Sequence, residues 1–520
     1  MTFGTVLSRV TGLLRLAAIA AAIGIAEDRL PDTYNLANTA PNIIYELVLG
    51  GVLTSVFVPV FVELLEKEGR ERAWQVASAI INVSMLILLV VTAIGVIAAP
   101  LLAKVYAYRV GGTDAAAQRE VLTFLLRLFI PQIIFYALAA ITGGLLNAHK
   151  RFAAPMYTPI LNNLAVISVF LGFYAAFGEV GLRDVTKGQQ LLIGLGTTGG
   201  VVLMALAQLP FLRGLGRYRF TFSVGHPAMR KLARLSVFVI GYVVVNQIGY
   251  FIVQILANKQ QGGYSAYINA FTFFLLPHGL FAVSIITALL PGMSEHATNG
   301  RWTEFIERLS VGVRSTLFLI LPAAVGFFVL GEPIVRFLLE RGVMTAGSTE
   351  LVAGVLRFFV IGLVPFAIFQ LFLRAFYALQ DTRTPFLINC VAVGVNTAIN
   401  IPMFAWLGVK GLAAGHATAY SLGVVLQARS LIKRTGGLDG NRVLRSSARI
   451  AAAGAGMGVV VWLLHDGLLR VVESQATAAQ LLTLGVPVVV GLGTYLWLAR
   501  LLRVEELSFV RSLISRRSPA

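Results

Sequence analysis

Arg9 and Arg15 stand in an apolar run from Gly4 to Ala26 that holds no acid to neutralise them. A guanidinium inside a membrane span costs about 2.5–3.5 kcal/mol on insertion scales, so it turns toward a cavity, a bundle interior or an ion partner. Arg15, near the middle of the run, therefore reads as a docking group for an anion, with pairing to Glu46 of the next run as the alternative. Arg9 lies nearer the end of the run and can also snorkel to the headgroups. Asp32 follows Pro31 at the start of the second run. It reads either as a helix cap, accepting from free N–H groups, or as a gate and ion-pair partner for the arginines.

Further polar groups interrupt later apolar runs. Arg127 and Arg357 lie about two turns into theirs, where anchoring at an interface is the favoured role over substrate contact. Asn246, Thr272, Asn396 and Asn400 are uncharged. Asn396 and Asn400 share a helical face at i, i+4 spacing, and their carbonyl oxygens suit a hard cation. With no carboxylate nearby, interhelical hydrogen bonding is the simpler reading. Gly194-Leu195-Gly196-Thr197-Thr198-Gly199 matches G-x-G-x-x-G, but it sits in an apolar run with no strand before it, which points to close helix packing. The six histidines show no metal spacing, and the one cysteine, Cys390, lies within an apolar run. No nucleophile elbow or zinc-hydrolase pattern occurs, so no enzyme chemistry, metal or cofactor is expected. A monovalent cation or the membrane potential is left as a source of energy.

The elements that hold these groups follow from composition. The chain has 520 residues, of which 57% are hydrophobic and 13% charged, and its mean hydropathy is +0.81. Runs of about 20 apolar residues recur along its length, each long enough to cross roughly 30 Å of hydrocarbon as a helix. The expectation is an all-α integral membrane protein of about fourteen transmembrane helices. The net charge of +18 falls in short loops, which argues for topology and against nucleic acid. Inside loops would carry Arg213, Arg217, Arg219, Arg230, Lys231 and Arg234, then Arg429 to Arg449, with Arg503, Arg511, Arg516 and Arg517 in the tail. The breaks at 26–32, 178–187 and 258–263 are poor in uncompensated basic residues, which places both termini in the cytoplasm. No cleavable signal peptide is expected at the first run.

An internal repeat organises the runs. Arg127 and Pro155 recur as Arg357 and Pro385 at a shift of about 230, with Pro41, Pro59 and Pro100 near Pro277, Pro291 and Pro333. An offset of six helices returns the chain to the same side of the membrane, so the halves are parallel repeats with a substrate site at their interface. The expected lobes are residues 1–227 and 228–436, followed by two further helices and a tail in 437–520.

The motifs Ser8-Arg9-Val10-Thr11-Gly12-Leu13-Leu14-Arg15, Pro41-Asn42, Phe57-Val58-Pro59, Leu145-Leu146-Asn147 with Arg151-Phe152 and Pro155, and Phe376-Tyr377 with Gln380-Asp381-Thr382-Arg383-Thr384-Pro385 resemble the MurJ (MviN) lipid II flippases of the multidrug/oligosaccharidyl-lipid/polysaccharide exporter superfamily. The resemblance implies two six-helix lobes around a cationic cavity, with a groove for an undecaprenyl tail formed by the last two helices. It implies alternating access that carries lipid II across the bacterial inner membrane for peptidoglycan synthesis, with cell-wall synthesis proteins as further partners. Arg9, Arg15 and Asp32 match family positions. Tyr45 and Thr272 stand where the family has arginines, and Leu16 where many members have aspartate. Asp381 and Arg383 of the last motif are expected to be structural. Export of another polyprenyl-linked glycan remains open. A drug or cation antiporter would want a carboxylate within a lobe, a polyprenyl-phosphate enzyme would want clustered acids or histidines, and an inactive scaffold would need neither.

Overall fold

The computed structural model describes residues 2–47, 58–108, 110–111, 114–222, 227–472 and 477–507, with side chains of the helix that opens at Pro227 given from residue 240. Phe57, the side chains of Val58, Pro59, Arg230, Lys231 and Arg234, and the tail arginines 511, 516 and 517 lie outside the described residues. Every regular element among the described residues is a helix. Hydrocarbon offers no partner to backbone N–H and C=O groups, and a helix satisfies them within one segment.

Two compact units form. One comprises Met1–Ser265 with Leu339–Ser348, the other Ala266–Leu338 with Thr349–Ala520. The first unit holds α1 (Thr2–Ile23), α2 (Leu30–Tyr45), α3 (Val58–Lys67), α4 (Gly69–Tyr106), α5 (Asp114–Phe129), α6 (Gln132–Ala148), α7 (Ala153–Phe177), α8 (Lys187–Leu206), α9 (Pro227–Ala257) and the first turn of α10 (Gly263–Pro277). The second holds the rest of α10, α11 (Val283–Thr298), α12 (Trp302–Leu339) as far as Leu338, α13 (Ala346–Ile361) from Thr349, α14 (Leu363–Ala378), α15 (Arg383–Leu407), α16 (Val409–Thr435), α17 (Gly440–Val471) and α18 (Thr477–Leu501). Helices α17 and α18 pack on one another, as do α15 and α16, α1 and α7, and α7 and α8. Large apolar side chains face outward on α4, where Ile97 is 78% exposed. A lipid solvent removes the penalty that water would impose on such a face.

Ten helical stretches among the described residues are long and apolar enough to span a membrane, eleven if the bent pair α13 and α14 is one span. The expected fourteen are therefore not reached by this criterion. The helices outside the count are α1, α2 with α3, and α16. The first carries Arg9 and Arg15, the second is described over 16 residues, and the third has Lys433 and Arg434 in its last turn.

The repeat is visible in local geometry. Helices α7 and α15 have 25 residues each and begin and end 230 positions apart. Lys150 and Gln380, which precede them, adopt left-handed φ of 59° and 57°, and Gly178 and Gly408, which follow, have φ of 65° and 60°. The preceding spans both break near their middle: Ile130 and Pro131 separate the end of α5 from Gln132 of α6, and α13 meets α14 at Gly362 with a 48° bend. Helices α4 and α12 are each 38 residues long. The glycine motif packs closely in part. A Cβ on Gly194 would fall 2.4 Å from Leu128 and one on Gly196 2.5 Å from Val169, whereas Gly199 meets nothing within 4 Å.

Segment 214–221 lies along the start of α4. The Arg70 guanidinium donates to the carbonyls of Gly214 and Leu215, the Arg219 N–H to Ser78 Oγ at 3.1 Å, and Asn82 Nδ2 to the Thr221 carbonyl at 2.8 Å.

Candidate functional site

Helix α1 is registered on α7 by Asn163, whose Nδ2 donates to Thr11 Oγ1 at 3.0 Å and to the Ser8 carbonyl at 3.4 Å. Two turns later on α1 stands Arg15, half-buried, with no hydrogen bond or ion pair among the described residues. The alternative partner Glu46 does not pair with it. Its charge instead acts on Tyr34 and Tyr136. Tyr136 hydrogen-bonds Asn42 and donates to Gln132 Oε1 at 3.3 Å, while Gln132 Nε2 donates to Thr198 at 2.8 Å. Tyr34 shares a 2.9 Å bond with Thr197. The Tyr45 ring lies 6.3 Å from that of Tyr136, and Asn42, in the last turn of α2, is exposed. One free cation thus faces a set of hydroxyl and amide groups, which suits an oxyanion carrying sugar. Tyr136, Gln132 and Tyr34 were not singled out in the sequence, and Asn42 entered only through the Pro41-Asn42 motif. Arg9 is exposed near the start of α1.

Asp32 is fully buried and caps a helix other than its own. Its oxygens accept from the N–H groups of Gly262 and Ser265, both at 2.8 Å, at the start of α10. The first turn of α2 is served by Asp28, which accepts from Leu30 N–H at 2.8 Å. Gly262 has φ +69° and packs so tightly on Ala26 that a Cβ would fall 2.2 Å from that residue's Cβ. Beside it, Glu27 Oε1 accepts from Thr345 N–H and Ser348 Oγ at 2.6 Å and from Thr345 Oγ1 at 2.8 Å. Glu27 Oε2 accepts from the N–H groups of Ile25 and Ala26 at 2.6 and 3.0 Å. Burial pushes this carboxyl up, but the donors from Ser348, Thr345 and Ile25 outweigh it and hold Glu27 below the usual carboxylate range. Arg29 adds a 3.0 Å bond to the Asn258 carbonyl. Two carboxylates thereby tie residues 25–32 to 262–265 and 345–348.

The other expected residues spend their polar atoms locally. Asn246 Nδ2 donates to the Tyr242 carbonyl at 2.7 Å and Thr272 to that of Ile268 at 2.9 Å, each within its own helix. Asn400 Nδ2 donates to Asn396 Oδ1 at 3.0 Å, a bond within α15 in place of the interhelical one expected. Arg127 is exposed and has no partner among the described residues, whereas its repeat mate Arg357 lies 3.4 Å from Glu332.

Asp381 organises the α15–α16 hairpin. Its Oδ1 accepts from the N–H groups of Arg383 and Thr384, both at 3.0 Å, and Arg434 lies 2.6 Å from Oδ2. The Arg383 side chain is exposed. Burial raises the Asp381 carboxyl, but Thr384, Arg434 and Arg383 together hold it below its ordinary value. Loss of such a cap costs about 1 kcal/mol, and the half-exposed ion pair adds about 0–1 kcal/mol. Because the folded-state value is depressed, the contribution is complete above the unfolded value of about 3.9 and is lost as pH falls through the folded one. Asp381→Ala should therefore lower the thermal midpoint in detergent at pH 7, with the gap from wild type closing below about pH 4. An unchanged gap at pH 3 would refute the electrostatic part.

In the second unit an apolar groove of about 430 Å³ opens between α12, α14, α16 and the first turn of α17, with Leu317, Phe372, Val424 and Val443 among its walls.

Residues 19–474 match the family model described as lipid II flippase MurJ. A probable lipid II flippase MurJ of Rhizobium tropici is 28% identical over 518 residues, covering 99% of this chain and 95% of that protein. Its counterpart from Vibrio cholerae is 27% identical over 512 residues, covering 96% and 94%. A solved structure of lipid II flippase MurJ in an inward closed conformation matches with a TM-score of 0.74 at 24% identity, over 99% of both chains. An inward-facing multidrug resistance MATE family transporter of the MOP superfamily matches at 0.67 and 11% identity, over 83% of this chain and 96% of that one. At these identities the structural likenesses establish the fold.

Proposed function

The chain belongs to the MurJ family of lipid II flippases, and from that membership we propose that it moves lipid II from the cytoplasmic to the periplasmic leaflet of the bacterial inner membrane without covalent chemistry. The observation that carries the reading is Arg15, a cation in the apolar helix α1 with no hydrogen bond or ion pair among the described residues, beside Tyr136 and Asn42. Charge-assisted bonds from a guanidinium to a pyrophosphate are strong in a low-dielectric cavity, and the hydroxyl and amide groups suit the sugar. The apolar groove would take part of the polyprenyl tail. Lobes 1–227 and 228–436 would rock about the substrate, with 437–520 serving the tail, and the ties at Glu27 and Asp32 would break and re-form in each cycle. An inside-negative potential favours outward movement of an anionic head group by about 2.3 kcal/mol per charge per 100 mV, so potential supplies drive without a bound cation. The enzymes that polymerise the precursor are the partners this implies.

Depletion of the protein in its own cell should raise the lipid II pool on the cytoplasmic side. Accumulation of a different polyprenyl-linked glycan, with lipid II unchanged, would reassign the substrate. That second reading draws on Tyr45 and Thr272, which leave fewer cations than the family pattern. Orientation has its own check. With Cys390 replaced by serine, Arg217→Cys should resist an impermeant thiol reagent in intact cells and react after permeabilisation, because basic loops stay inside. Strong labelling of intact cells would invert the topology and both proposed cytoplasmic termini.

A further inference from the structure

The first turns of α17 carry a cationic cavity separate from Arg15. Arg442, Arg445 and Arg449 recur at i, i+3 and i+7 and so share one helical face. With Asp439, Asn441, Ser446 and Glu505 they line a cavity of about 350 Å³.

Most of its frame is fixed. Arg442 Nη2 donates to Glu505 at 2.7 Å, and Arg449 Nη1 to the Arg503 carbonyl at 3.1 Å. Glu506, 3% exposed, accepts from Ser446 Oγ at 2.7 Å and from the buried Arg314, which also reaches Glu505 at 3.1 Å. Asp439 accepts from Ser310 Oγ at 3.0 Å. Arg445 alone of the three arginines makes no hydrogen bond or ion pair among the described residues.

The surroundings say what such a cation meets. Leu444, next to Arg445, is 71% exposed, and Leu501, at the end of α18, is 63% exposed. Apolar side chains that face outward at the level of guanidiniums mark the boundary between headgroups and hydrocarbon. Basic pockets between helices at that boundary suit anionic lipid headgroups. Three guanidiniums against the carboxylates of Asp439 and Glu505 leave the cavity with one net positive charge.

We propose that this cavity binds the phosphate of an anionic phospholipid headgroup, with Arg445 and Arg449 as its ligands and the acyl chains along the exposed face of α17 and α18. A resident lipid would brace these helices independently of the transported molecule.

The test is native mass spectrometry of the full chain with short-chain phosphatidylglycerol or phosphatidylcholine. Each arginine near the surface is worth about fivefold in affinity for an anionic lipid. Arg445→Gln with Arg449→Gln should weaken phosphatidylglycerol binding on the order of twenty-fivefold and leave phosphatidylcholine unaffected. Arg219→Gln, in a different basic segment, should change neither. Arg445→Gln alone breaks no bond in the protein, so it should still weaken binding about fivefold with the thermal midpoint unchanged. Wild-type phosphatidylglycerol affinity in both variants overturns the site. So does equal binding of the two lipids, and displacement of the lipid by millimolar inorganic phosphate assigns the cavity to a free anion.

Discussion

Arg15→Ala should reduce lipid II translocation in proteoliposomes at least about hundredfold while the protein remains abundant and inserted. Two charge-assisted hydrogen bonds to a phosphate contribute about 3 kcal/mol or more, which sets that scale. Abundance should hold because, among the described residues, the guanidinium makes no bond that its loss would break. Arg15→Lys keeps the charge without the bidentate fork and should retain part of the rate. Tyr136→Phe removes one neutral hydroxyl and should cost about fivefold. Glu46→Ala should not rescue the alanine variant, since no ion pair joins the two. Translocation at the wild-type rate by the single alanine variant would end the docking role.

Glu27→Ala should be the most disruptive change outside the spans. It strands donors from Ile25, Ala26, Thr345 and Ser348 at once. Hydrogen bonds to a charged group contribute about 1.5–3 kcal/mol each, though not additively. An Ile25→Cys reporter, at a side chain only 1% exposed, should therefore react with an external thiol reagent at least about tenfold faster in the Glu27→Ala background. Transport should fall with it, because the tie could no longer re-form. Asp32→Asn should do the same less severely, since an amide oxygen still accepts one of the two bonds. If labelling stays slow while abundance collapses, the carboxylate serves folding and not the cycle.

The difference between what the sequence disclosed and what it concealed lies in the range of the interactions. Arg15 was legible because charge in an apolar run is costly wherever its partner is. The repeat was legible because proline and arginine mark backbone breaks and span depth, and the matched left-handed turns at Lys150 and Gln380 bear that out. Asp32 showed its chemistry, capping, but not its target, which lies 230 residues away. Glu27 gave no signal, since an acid in a loop is usually solvated, and its partners Thr345 and Ser348 are more than 300 positions distant. Tyr34 and Tyr136 were not singled out, because an aromatic ring in an apolar run does not reveal where its hydroxyl points. The amide pair at Asn396 and Asn400 was placed on one face correctly, but spacing alone could not tell a bond along the helix from one across it.

The length of α4 has a mechanical consequence. Its 38 residues extend about 57 Å at 1.5 Å per residue, nearly twice the roughly 30 Å of hydrocarbon. Such a rod is a lever whose fulcrum lies in the bilayer, and a tilt of about 10° swings its tip by about 5 Å. That displacement exceeds the reach of a hydrogen bond. The rungs from Arg70, Ser78 and Asn82 to residues 214–221 survive it only if that segment is carried on the lever arm. A tilt of α4 at membrane depth would thus be delivered, amplified, to a basic stretch that has no span of its own.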